Sequence, residues 1–67
     1  MSASDRDVQA TALLVIKHHG ASAAYYAAGR ADELRDAGAV HGANTWRRIL
    51  VEIERLQAME PDTGARH

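Results

Sequence analysis

The chain contains no cysteine in its 67 residues. That absence excludes disulfides, thiol catalysis and the common cysteine-based zinc sites, and it fits a reducing cytosol. No apolar run approaches the ~20 residues that span a bilayer. The longest, Ala12-Leu13-Leu14-Val15-Ile16, is far too short. It follows the charged Ser4-Asp5-Arg6-Asp7 rather than a basic leader, so a cytoplasmic protein is expected. A strong charge of one sign is missing too. The formal net charge is −1 and the pI about 6.4, so no global field draws the chain to nucleic acid or anionic lipid. Glycine-rich phosphate loops, paired-carboxylate pockets, nucleophile elbows and zinc signatures are all lacking. The expectation is a protein that is not an enzyme and uses no cofactor, metal or small-molecule ligand.

What is present reads as one small helical domain, residues 1–67. Ser4 followed by Asp7 makes a start resembling a capping box, and Asp5 and Asp7 suit the positive end of a helix. The segment ends on Lys17, His18 and His19, with Gly20 in the stopping position. Ser22 is expected to cap a second segment that stops at Gly38. The third starts between Val40 and Asn44, and Pro61 ends it. The prediction is an all-α three-helix bundle with helices about 5–19, 22–37 and 41–59, and frayed ends at 1–3 and 61–67.

Helical periodicity then assigns faces. In the third helix Trp46, Ile49, Leu50, Ile53 and Leu56 share one stripe, with Gln57 beside it, while Arg48 and Glu52 stand i,i+4 among the charges. In the first, Val8, Ala12, Val15 and Ile16 face the core, with His19 at the stripe's end. Leu13 lies on the flank of that stripe, and Leu14 points away. The second is unusual, because Ala23, Ala24, Ala27, Ala28 and Ala31 form one face with Leu34 as its only large member. Small side chains permit close helix approach, and alanine is the best helix former, so this face is read as packing surface. The opposite face carries Tyr25 and Tyr26 around Gly29, with Arg30 nearby. If the alanines face the core, at least one tyrosine must lie outside it.

Three surfaces compete for function. Adjacent His18 and His19 point ~100° apart and cannot chelate together, which leaves only a cross-turn arrangement of His19, His41 and a carboxylate for a metal. A histidine placed favourably against a helix C-terminus is the simpler reading. Arg47 and Arg48, preceded by Asn44 and Thr45, resemble the polar start of a DNA-reading helix, so a helix-turn-helix-like nucleic-acid binder is the alternative function. The slightly acidic balance and the flanking Glu52 and Glu54 oppose it. The third is the candidate interaction surface, formed by Leu14, Tyr25, Tyr26, Gly29, Arg30 and Val51.

The His19-Gly20 turn, the Arg30-Ala31-Asp32 helix with Leu34, the Trp46-x-Arg48-Ile49 start and the Ile53-Glu54-x-Leu56-Gln57 end carry a resemblance. Over roughly residues 12–57 the chain resembles a group of short alanine-rich helical proteins of alphaproteobacteria. The resemblance implies a small bacterial helical domain of unknown function and brings no reaction, ligand or catalytic residue with it.

Large apolar residues are scarce, and a chain this short buries only ~60% of the surface its unfolded form exposes. The expected function is therefore a non-enzymatic interaction module that forms a homo-oligomer or docks on a larger cytosolic protein.

Overall fold

The computed structural model describes residues 4–59, and every regular element within them is helical. Helix α1 spans Asp5–His19, α2 spans Ala23–Asp36 and α3 spans Val40–Met59. The expected boundaries hold within a residue. The expected frayed ends and the Pro61 stop lie outside the described residues.

One part of the predicted bundle needs correction. A single 3₁₀ turn, Gly20–Ser22, joins α1 to α2 without any extended residue. Counted as uninterrupted helical runs, the described chain therefore has two, 5–36 and 40–59, rather than three. Gly20 takes φ 55 while its N–H still reaches the Ile16 carbonyl, which turns the chain with little loss of hydrogen bonding. Ser22 does not cap α2 as expected. Its φ of −91 and ψ of 4 are already close to helical, and its side chain makes no capping bond. Ser4 does cap α1, accepting from the Asp7 N–H at 3.2 Å.

The second turn is sharper. Gly38 sits at φ 83, the Ala39 N–H donates to the Leu34 carbonyl at 2.8 Å, and the Gly38 N–H donates to the Arg35 carbonyl at 3.0 Å. This is a Schellman close, in which a left-handed glycine satisfies the last carbonyls of the helix it ends.

Contacts across the helices give their directions. Asp5 and Gln9 of α1 meet Arg48 and Glu52 of α3. Both sequences rise by four, so α1 and α3 run parallel. Leu34 and Tyr26 of α2 meet Gly42 and Trp46 of α3, so α2 runs antiparallel to both. A Cβ added at Gly42 would lie 3.3 Å from Leu34 Cδ1, which shows how closely α2 and α3 approach there. The alanines of α2 permit the same closeness further along: Ala23, Ala27 and Ala31 are buried, and Ala24 and Ala28 half-buried. Val8, Ala12 and Val15 of α1 and Ile49 and Ile53 of α3 complete the core, with Ile16, Trp46, Leu50 and Leu56 packed at its edge. Ile53 is its largest fully buried side chain. Gln57, beside the α3 stripe, donates to the Gly20 carbonyl at 3.0 Å and ties the end of α3 to the first turn.

Candidate interaction surface

Two open grooves mark the surface, one along α2 and one between α1 and α3. The smaller, about 280 Å³, is lined by His19, Ser22, Tyr25, Tyr26, Gly29, Arg30 and Glu33. It forms where the first turn brings the end of α1 beside the outer side of α2. The His19 ring stacks on Tyr26 with centroids 4.1 Å apart, and Tyr26 meets Trp46 edge-on at 5.8 Å. The Arg30 guanidinium lies 5.9 Å from the Trp46 ring centroid and bonds Glu33 at 2.7 Å. Tyr26 therefore belongs to an aromatic ladder that closes the edge of the core. Tyr25 does not. It stands 85% exposed, and space is open above Gly29, where an added Cβ would meet nothing within 4 Å.

The larger groove, about 700 Å³, lies between α1 and α3. Val8 and Val51 give it apolar walls, and Asp5, Arg6, Gln9, Arg47, Arg48 and Glu52 surround them. The spacing of Arg48 and Glu52 pointed to a local pair on α3, but both also reach elsewhere. Arg48 reaches Asp5 on α1 at 2.6 Å. Arg55 and Gln9 both bond the Glu52 carboxylate. The hydrogen bond from Arg55 holds the Glu52 carboxyl below its ordinary value, against desolvation, with the charge of Arg55 and the Gln9 amide adding to the lowering. The Arg55 value is raised by the same bond and charge, with desolvation opposing. Arg6 and Arg47 have no ion partner among the described residues.

The residues singled out as an interaction surface thus divide. Tyr25, Tyr26, Gly29 and Arg30 share the smaller groove, Val51 belongs to the larger, and Leu14 lines neither although it is 55% exposed. Sequence reasoning missed the α1 side of the larger groove, Asp5, Arg6 and Gln9. Their pairing with α3 depends on helix direction, which no local pattern carries.

Arg47 and Arg48, the pair on which the nucleic-acid reading rests, have different settings: Arg48 is bonded to Asp5, and Asp5 and Glu52 share their groove. Asn44 is exposed and Thr45 half-buried. The turn between α2 and α3 makes an antiparallel hairpin, whereas a DNA-reading helix-turn-helix crosses at about 90–120°. His19 is engaged with Tyr26, and no group of three His, Cys, Asp or Glu among the described residues could hold a metal ion. No helix among them is long and apolar enough to cross a membrane.

These features define the class: a short all-helical protein with an alanine-faced central helix. Residues 4–60 match the family described as "Family of unknown function (DUF6961)", and the chain belongs to that family. No curated protein and no solved structure matches the chain.

Proposed function

We propose that this chain is a non-enzymatic interaction module that works by associating with a second copy of itself. The carrying observation is where the large apolar side chains lie. Among the described residues the buried core holds four side chains larger than alanine, Val8, Val15, Ile49 and Ile53, whereas Leu13, Leu14, Tyr25 and Val51 are each more than half exposed. Single exposed apolar residues are ordinary. Here they recur on the outer side of all three helices of a chain whose length limits its core.

Association supplies the missing burial at ~25 cal/mol per Å² of apolar area covered. A second copy is always present at the concentration of the first, which a docking partner need not be. Multi-angle light scattering at micromolar to high micromolar concentration tests the proposal. A mass that rises to a multiple of the monomer supports it. A monomer throughout the range overturns it.

A further inference from the structure

The outer stripe of α2 and the α1–α3 groove carry opposite charge. On α2, Tyr25, Gly29, Asp32 and Asp36 follow one another at four, three and four residues, forming one outward stripe with Glu33 beside it. Its three acids outnumber the two arginines that touch them, Arg30 and Arg35. Those pairs are exposed, and two of them are loose at 3.5 and 3.7 Å, so exchanging partners there costs little. On the α1–α3 face, Arg6 and Arg47 have no ion partner among the described residues and stand beside the exposed Val51.

We infer that self-association is heterologous: the acidic α2 stripe of one copy docks against the Arg6–Arg47–Val51 face of the next. This inference rests on the self-association reading above. The spacing agrees with it. In an antiparallel register that sets Val51 over Gly29, Arg47 falls beside Glu33 and Arg55 beside Tyr25, because each lies four residues away along its own helix.

Gly29 has a use in this arrangement that it lacks inside one chain. It is exposed, its φ is not positive, and an added Cβ would touch nothing, so neither packing nor a turn requires glycine there. In the middle of a helix it is otherwise a poor choice. As a notch it receives the Val51 knob, with Tyr25 forming its wall. A head-to-tail contact of this kind leaves one unused face at each end, so it builds rings or chains rather than a closed two-fold dimer.

Two double variants test the geometry. Arg6→Glu/Arg47→Glu removes one face, and Asp32→Lys/Asp36→Lys removes the other. Each is expected to sediment as a monomer where the unaltered chain associates. Mixed in equal amounts, they retain one native pair of faces, since the intact acidic stripe of the first variant meets the intact arginine face of the second. Their reversed faces are complementary to each other as well, so the mixture is expected to associate again with the two variants in equal proportion, and added salt dissociates it.

Gly29→Gln provides a control against misfolding. It fills the notch with a helix former, so it is expected to raise the melting temperature of the dilute monomer by several degrees while abolishing association. An unaltered chain that is monomeric at high micromolar concentration overturns this inference together with the self-association reading. An unaltered chain that associates while the charge variants or Gly29→Gln associate equally well overturns the heterologous geometry alone. So does a mixture that stays monomeric.

Discussion

Ile53 and Val51 lie two residues apart on α3 and meet opposite surroundings: Ile53 is completely buried and Val51 is 62% exposed. Truncating Ile53 to alanine leaves a cavity in the buried cluster it shares with Val8, Ala12 and Ile49, and is expected to cost about 3 kcal/mol in urea denaturation. Val51→Ala is expected to change the stability of the dilute chain by less than about 0.5 kcal/mol, with its effect appearing in association. The glycines separate in the same way. Gly29→Ala fills an open helical position and is expected to add about 1 kcal/mol to the stability of the dilute chain. Gly38→Ala forces a side chain to φ 83 and is expected to remove about 1–2 kcal/mol. Denaturation midpoints of the two variants moving in the same direction would contradict this account of the turns.

At the scale of the element, legibility followed the strength of the pattern. The α3 stripe was readable because large apolar residues repeat at helical spacing between charges, and Ile49 and Ile53 are indeed buried. The alanine face of α2 was readable by elimination, since the polar and aromatic residues occupy its other side. Ser22 misled because serine before a helix usually caps it, whereas here the 3₁₀ turn already continues the helical hydrogen bonding. The contacts of Arg48 with Asp5 and of Gln57 with Gly20 were not readable, because each joins residues about forty apart and depends on how the helices are directed.

Two predictions belong to this scale. Gln57→Ala removes the tie between the end of α3 and the first turn, and is expected to cost about 1 kcal/mol. The second concerns acid. Because Glu52 is held below its ordinary carboxyl value of 4.5, the folded chain binds fewer protons there than the unfolded chain. Its stabilising contribution is therefore complete above that value and is lost as pH falls through the lowered folded one. Glu52→Gln is expected to flatten this part of the acid limb in melting curves taken across the range. An unchanged limb would show that the bonds from Arg55 and Gln9 do not matter to folding.

For the whole molecule, the all-helical class was legible, and the interaction surface was legible only as a set of residues. Tyr25, Gly29 and Arg30 come together in one groove as the sequence allowed, but Val51 joins Arg6 and Arg47 in another and Leu14 stands apart. Periodicity places a residue on the outside of its own helix without saying which outsides adjoin. The structure supplies that, and with it the charge difference between the outer stripe of α2 and the α1–α3 groove. The central claim is that this small helical protein completes its apolar burial by association, so its stability must depend on its concentration. The most direct measurement is the melting temperature across a hundredfold dilution series at fixed pH and salt. A temperature that falls steadily on dilution is the expected result. One that does not change, in a chain shown to melt reversibly, would contradict the claim.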